Sequence, residues 1–297
     1  MPSFSSRLVT FVLRTTRIYK KRFSGGDYLS TNLQKLRAEV SEPAAKWRTK
    51  LDIRREVFEG RAVWHIGPKA GASTIRVLYF HGGGYVYQAA SVHWDTLCHM
   101  ALNHGTSFIA PLYPLAPETK IDAISTFALS LYRDLLTRHD PADIVIAGDS
   151  AGGGLTVTTV MLAREAGLPL PVRTILICPW LDTDASDPEQ LEIDKRDPIL
   201  SVAGLRSIGD VLTPDAPFDQ ALMDPIRNDF SEYPATLMFG GGDDILVTNA
   251  RALKAKQPAI DYREAASMMH VWPIFSFPES RAAQSQMAAF ASGGTSA

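Results

Sequence analysis

The sequence predicts an α/β fold with a mostly parallel central sheet and helices on both faces. Apolar runs of four to six residues, rich in β-branched or aromatic side chains, recur at 75–80, 107–112, 143–147, 174–178 and 236–239. Helical patterns lie between and after them, at 92–104, 121–138, 151–166, 199–213, 247–257 and 279–291. Short runs without polar alternation are typical of strands buried on both faces, and their alternation with helices indicates βαβ units.

The composition is that of an ordinary globular protein. The chain has 297 residues, of which 45% are apolar and 21% charged, and its formal net charge is −2. These values argue against a disordered, collagen-like or disulfide-scaffold protein, and a near-neutral chain lacks the positive field of a dedicated nucleic-acid binder. Cys98 and Cys178 lie in apolar surroundings. We expect two small buried side chains in a reducing, cytoplasmic compartment, and nothing indicates a disulfide between them.

The first 22 residues differ from this average, because they contain six basic residues and no acidic one. Their apolar stretch is too short for a membrane-spanning helix or a signal peptide, so we expect a mature protein that is not exported. A set of side chains falls at helical spacing, namely Leu8, Phe11, Val12, Thr15 and Tyr19. This pattern predicts a basic amphipathic helix packed on the protein's own surface. Contact with a membrane surface and disorder are the alternatives.

The chain divides into an N-terminal helical segment, 1–50, and an α/β domain, 51–297. A second short helix is expected over 28–40, and 51–66 has the pattern of an antiparallel β segment. Almost sixty residues rich in Asp and Pro separate the apolar runs at 174–178 and 236–239, far more than a plain crossover needs. We therefore predict an inserted helical cap at about 181–220, lying over the carboxyl edge of the sheet, where ligands of open α/β sheets bind.

The strongest functional motif is Gly148-Asp149-Ser150-Ala151-Gly152, which follows an apolar run and precedes a helical pattern. In this setting Gly-x-Ser-x-Gly indicates a tight strand-to-helix turn that presents a serine nucleophile. The Ser150 hydroxyl is the predicted nucleophile. The Ala151 amide, at the positive end of the helix, is a predicted oxyanion donor.

A second motif, His81-Gly82-Gly83-Gly84, comes directly after the apolar run at 75–80. Consecutive glycines are costly in backbone entropy, which suggests that the loop needs their freedom. We predict that the amides of Gly82 and Gly83 are oxyanion donors, with a phosphate cradle or a plain turn as alternatives. No Walker motif and no GxGxxG pattern supports nucleotide binding. His81 itself is expected to anchor the loop.

A serine nucleophile needs a base and an orienting carboxylate, and in this kind of fold the chain order is Ser, then acid, then His. His270 is the only histidine after Ser150, so it is the predicted base. Asp244 follows the apolar run at 236–239 and is the favoured acid. Asp243 is the alternative, or it caps the helix that begins near Thr248.

Together these motifs resemble the hormone-sensitive-lipase-like family, the esterases of the α/β-hydrolase fold that carry an HGGG loop. The resemblance covers about 60–290 and includes 113–118 (Tyr-Pro-Leu-Ala-Pro-Glu) and Pro179-Trp180. The chain departs from the family in having Asp244-Ile245-Leu246-Val247-Thr248 where Asp-Pro-Leu-Arg-Asp is usual, so Asp243 stays open as the acid.

The resemblance implies a serine carboxylesterase with Ser150 as nucleophile, His270 as base and Asp244 as acid. It implies an oxyanion hole built from Gly82, Gly83 and Ala151. The expected substrates are short- to medium-chain acyl esters, hydrolysed through an acyl-serine intermediate without a metal or cofactor. A homodimer is a family-level expectation. A lipase or amidase using the same triad, and a non-catalytic binding module of the same fold, are the alternatives.

Overall fold

One eight-stranded sheet forms the centre of the computed structural model, which describes residues 2–37, 41–71 and 73–294. Its spatial order is β1-β2-β4-β3-β5-β6-β7-β8. The strands are β1 (Leu51–Phe58), β2 (Arg61–Pro68), β3 (Arg76–Phe80), β4 (Ser107–Pro111), β5 (Ile144–Asp149), β6 (Arg173–Ile177), β7 (Ala235–Gly241) and β8 (Asp261–Ala265).

The strand directions agree with the predicted mostly parallel α/β fold. β1 and β2 form an antiparallel hairpin, and β2 runs antiparallel to β4. All other neighbouring pairs are parallel. Every residue of β4 and β5 is buried, so these central strands are covered on both faces, as uninterrupted apolar runs predict.

Eleven α-helices lie within the described residues. They are α1 (Phe4–Thr16), α2 (Ile18–Arg22), α3 (Gly26–Arg37), α4 (Ala45–Arg48), α5 (Ser91–His104), α6 (Ile121–Leu136), α7 (Ala151–Glu165), α8 (Glu189–Asp194), α9 (Val202–Leu212), α10 (Val247–Lys256) and α11 (Pro278–Ala291). The helix expected over 28–40 corresponds to α3, and its predicted last residues, 38–40, lie outside the described part. In the portion of the chain that the structure describes, no helix has the length and apolar character needed to cross a bilayer.

The N-terminal helix contacts the protein through a different face from the one predicted. The buried side chains of α1 are Ser6, Thr10 and Leu13. The apolar members of the predicted set are exposed instead: the exposed fraction is 66% for Phe11 and 49% for Leu8. The helix lies on the protein's own surface, as predicted, but the apolar side of α1 faces outward. Leu13 packs into the hydrophobic core, and polar contacts also hold the helix, such as Ser3 Oγ donating to Glu279 at 2.9 Å.

The N-terminal helices lie against the segment between β6 and β7, which contains α8 and α9. Lys20 of α2 forms an ion pair with Asp194 of α8 at 2.6 Å. The amide of Gly26 donates to Ser207 Oγ of α9 at 2.7 Å. Two segments far apart in sequence thus form one layer of structure beside the sheet.

Candidate active site

The turn between β5 and α7 places Ser150 at the carboxyl edge of the sheet. Ser150 has φ 55° and ψ −122°, a backbone conformation that L-residues rarely adopt. A Cβ on Gly148 would collide with the backbone of Gly152, and a Cβ on Gly152 would collide with the backbone of Phe80. The two glycines of the motif are therefore needed for close approach. The Ser150 amide donates to Ile177 O of β6 at 2.8 Å and fixes the turn.

The structure brings Ser150, His270 and Asp244 into one hydrogen-bonded chain. His270 Nε2 lies 2.9 Å from Ser150 Oγ, and His270 Nδ1 lies 2.9 Å from Asp244 Oδ2. Asp244 follows β7 and His270 follows β8, so both reach the edge at which β5 ends. All three side chains are buried. With neutral His270, Ser150 donates to Nε2 while Nδ1 donates to Asp244, which is the arrangement of a base oriented by a carboxylate.

The Asp243 side chain points away from the hydrogen bonds that join Ser150, His270 and Asp244. Its carboxylate accepts from Arg14 of α1 at 2.7 Å and from Arg196 at 3.0 Å. It does not cap α10, contrary to the alternative role expected for it. Asp244 Oδ1 instead accepts the amide of Leu246, at the start of that helix, at 2.9 Å.

The electrostatic surroundings of His270 favour its protonated form. Burial alone lowers the pKa of His270, but the Asp244 carboxylate, by its charge and its hydrogen bond, more than reverses this effect. The charges of Asp197 and Asp149 act in the same direction, and the net pKa of His270 is raised. A ring that gains a proton readily is suited to accept one from a hydroxyl.

The glycine loop differs in one respect from the sequence prediction. The amide of Gly82 donates to Asp149 Oδ1 at 2.9 Å, so it is already used within the protein and the prediction for Gly82 is wrong. Within the described residues, the amides of Gly83, Gly84 and Ala151 donate no hydrogen bond. Gly83 lines the same cavity as Ser150 and His270. The unused amides of the loop are therefore those of Gly83 and Gly84, one residue further along the chain than the predicted pair of Gly82 and Gly83.

Asp149 connects the glycine loop to the serine turn, a role that the sequence reasoning missed. Besides the Gly82 amide, its carboxylate accepts from the Tyr79 hydroxyl at 2.6 Å and from His93 Nε2 at 3.2 Å. Burial raises the pKa of Asp149, but His93 and these hydrogen bonds lower it, with a net lowering. The available signal was a charged residue at the end of a fully apolar run, because such a carboxylate is buried only with partners.

His81 has the anchoring position that was expected of it. Nδ1 donates to Gly82 O at 2.7 Å, and the ring stacks on Tyr113 with centroids 4.3 Å apart. Burial lowers the pKa of His81 to about 4, so the ring is neutral at physiological pH. His81 makes no hydrogen bond to Ser150 in this arrangement, so its contacts hold the loop.

A second unpredicted carboxylate, Asp197, lies beside the Asp244 turn. Asp197 comes from the segment between β6 and β7, and its Oδ1 accepts the amides of Ile199 at 2.7 Å and Leu200 at 2.9 Å. Its Oδ2 accepts the amide of Ile245 at 2.9 Å. Burial and the neighbouring Asp244 raise the pKa of Asp197 to about 7. Asp197 thus attaches the inserted segment to the turn that carries Asp244.

A cavity of about 370 Å³ opens above the Ser150 hydroxyl. Its lining combines the serine and histidine with Tyr19 and Phe23 from the N-terminal segment and Ile199 from the inserted segment. Both segments outside the sheet therefore contribute side chains to the space in which a reacting molecule would lie.

Comparison with known proteins agrees with this architecture. The family model described as the alpha/beta hydrolase fold matches residues 77–274. An acetyl-hydrolase of Streptomyces hygroscopicus is 31% identical over 72% of this chain and 74% of its own length. An esterase of Acinetobacter venetianus is 27% identical over 75% of this chain and 77% of its own. The crystal structure of an esterase from the bacterial hormone-sensitive lipase family has a TM-score of 0.81 at 26% identity, covering 99% of both chains.

The chain therefore belongs to the α/β-hydrolase family. Within that family it falls in the hormone-sensitive-lipase-like group of carboxylic-ester hydrolases.

Proposed function

We propose that the protein hydrolyses short- to medium-chain acyl esters through an acyl-serine intermediate on Ser150. The observation that carries this proposal is the hydrogen-bonded chain from Ser150 Oγ through His270 to Asp244, buried at the foot of a cavity. His270 removes the Ser150 proton as Oγ attacks the ester carbonyl, and then protonates the leaving alcohol. In the second half of the reaction His270 activates a water molecule, which attacks the acyl-serine, releases the carboxylic acid and restores Ser150. Asp244 holds the ring in the required tautomer.

The amides of Gly83, Gly84 and Ala151 are the proposed donors to the oxyanion. This set keeps the two predicted residues Gly83 and Ala151 and replaces Gly82, whose amide is bound to Asp149. Ala151 begins α7, so the helix dipole adds to the stabilisation of negative charge there. Backbone donors fixed by Asp149 need no reorganisation during the reaction, which is the basis of oxyanion stabilisation.

We propose that the N-terminal segment, 1–50, and part of the insertion at about 181–220 form a two-part cap on the catalytic domain, 51–297. Tyr19 and Phe23 on one side and Ile199 on the other support this division, because they line the cavity from outside the sheet. A volume of about 370 Å³ is at the small end of ligand-binding pockets and favours short acyl groups over long ones.

Turnover of 4-nitrophenyl esters of increasing acyl length tests both parts of the proposal. Ser150→Ala and His270→Ala are each expected to reduce kcat by a factor of about 10⁴ or more, since such groups act as a unit. Activity is expected to fall as the acyl chain outgrows the cavity. Wild-type turnover by Ser150→Ala would rule out the serine mechanism. Failure of a fluorophosphonate to label Ser150 would favour a non-catalytic binding module instead.

A further inference from the structure

The outward face of the N-terminal helices is apolar over several turns. Phe4 and Phe11 are the most exposed of its large side chains in α1, and Ile18, at the start of α2, is 62% exposed. Leu8 and Val12 lie between them on the same side and are also exposed. Large apolar side chains scattered singly on a surface are ordinary, but a continuous row along one helix marks an interaction surface.

Cations accompany this row, and residues 1–22 contain no acidic residue. Arg7 follows Phe4 by three positions and precedes Phe11 by four, so it is a surface neighbour of both. Arg7, Arg17 and Lys21 are exposed, and none of them forms an ion pair with any residue in the described part of the chain. The surface therefore combines exposed apolar side chains with uncompensated positive charge.

A basic groove adjoins the apolar row. It encloses about 480 Å³ between the N-terminal helices and the inserted segment. Five basic residues line it against two acidic ones. The basic residues are Arg14, Arg17, Lys20, Lys195 and Arg196. Four of them are already ion-paired: Arg14 and Arg196 share Asp243, Lys20 pairs with Asp194, and Lys195 pairs with Glu192. Among the described residues of the groove, Arg17 is therefore the cation that adds to the uncompensated charge beside the apolar row.

We propose that the face formed by α1 and α2 docks the protein on an anionic phospholipid surface. The apolar row enters the boundary between headgroups and acyl chains, and the surrounding cations lie at the level of the phosphates. The active-site cavity is adjacent, because Tyr19 and Arg22 of α2 line it. A docked molecule would therefore hold the cavity close to the lipid. The proposal concerns binding and stands apart from the chemistry proposed for Ser150.

The contribution of the apolar row is tested by sedimentation of the full chain with vesicles. One set of vesicles contains phosphatidylcholine alone, and the other also contains phosphatidylglycerol. We expect binding to the anionic vesicles, at least tenfold stronger than to the neutral ones and weakened by added salt. Phe4→Ser/Phe11→Ser should weaken it by about tenfold or more. The matched control is Val57→Ser/Leu102→Ser, which removes exposed apolar side chains elsewhere and should bind as the wild type does.

The contribution of the exposed cations is tested with the same vesicle-binding assay. Arg7→Gln/Arg17→Gln should reduce binding to anionic vesicles by about thirtyfold, since each cation near the surface contributes to the attraction. Lys50→Gln/Arg55→Gln removes two exposed cations from the region of β1 and is expected to leave binding unchanged. A loss of equal size in this control would contradict a localised docking face.

Turnover of a soluble short-chain ester keeps binding and catalysis separate. All four double variants should hydrolyse it at the wild-type rate, which also shows that they are folded. Absence of wild-type binding to anionic vesicles would overturn the docking proposal, whether or not the protein is an active esterase. Sedimentation velocity identifies the other possible occupant of this face. If the wild type forms a dimer that Phe4→Ser/Phe11→Ser abolishes, and vesicle binding is absent, then the face joins two copies of the chain and the docking proposal is wrong.

Discussion

Asp243 and Asp244 are consecutive in the chain, yet their carboxylates face opposite partners. Asp244 accepts from His270 at 2.9 Å in the buried site, whereas Asp243 pairs with Arg14 of the N-terminal helix at 2.7 Å. One residue of offset in the turn after β7 thus separates a carboxylate that orients the His270 ring from a carboxylate that holds the neighbouring helix. The two aspartates form a matched pair for mutation.

Asp244→Asn should reduce kcat by about 10⁴, because an amide in place of the carboxylate leaves His270 in the wrong tautomer. Asp243→Asn should change kcat by only a fewfold, since it loses two partly exposed ion pairs, to Arg14 and Arg196, that each contribute about 0–1 kcal/mol. Steady-state kinetics on one short ester compares them. Equal losses in the two variants would contradict the assignment of Asp244 as the acid.

The pH profile reports the state of His270. The base must be neutral to accept the Ser150 proton, so kcat/KM falls as the pH drops through the pKa of His270 in the free enzyme. Because the net pKa of this histidine is raised, we expect the midpoint of that fall above the ordinary value of about 6.5. A midpoint well below 6.5 in a profile of kcat/KM would show that Asp244 does not stabilise the protonated ring.

Asp197→Asn tests the carboxylate beside the Asp244 turn. Its charge raises the pKa of His270, so removing it should move the acidic fall of kcat/KM to lower pH. Asp187→Asn, which lies on the surface of the same inserted segment, is the control and should leave the midpoint in place. An unchanged midpoint in Asp197→Asn, with a lower melting temperature alone, would assign Asp197 a purely structural role.

Asp149→Asn tests the support of the glycine loop. The amide cannot accept from Tyr79, Gly82 and His93 together, so a buried donor is left unpaired at a cost of about 1–3 kcal/mol. If Asp149 fixes the oxyanion donors, kcat should fall by about 10²-fold or more with little change in KM. Thermal unfolding measures the stability loss separately. A lower melting temperature with unchanged kcat would show that the loop does not depend on Asp149.

The sequence was sufficient for the parts of the site that local pattern and chain order determine. Gly148 and Gly152 marked the serine turn because backbones meet there, and His270 was the only histidine in the right order. Gly82 was assigned wrongly because the direction of an amide depends on Asp149, a tertiary partner that spacing does not reveal. Asp197 was missed for the same reason, since its partners belong to another segment.

The sequence also left two elements of the fold undetermined. β8 (Asp261–Ala265) is a half-buried edge strand with mostly polar side chains. The apolar run near 259–262 overlaps only its beginning, which is too little to identify a parallel strand. The periodicity of α1 showed an apolar face around Phe11 but not what covers it. In the structure Leu13, on the opposite side, is buried instead.

The central claim is that Ser150 carries the acyl group during turnover, and rapid-quench mass spectrometry tests it most directly. Enzyme mixed with excess 4-nitrophenyl butyrate and quenched in acid within the first turnover should carry one butyryl group, on the peptide that contains Ser150. Ser150→Ala, treated in the same way, should carry none. An acyl group on another residue, or wild-type turnover by Ser150→Ala with no adduct, would contradict the account.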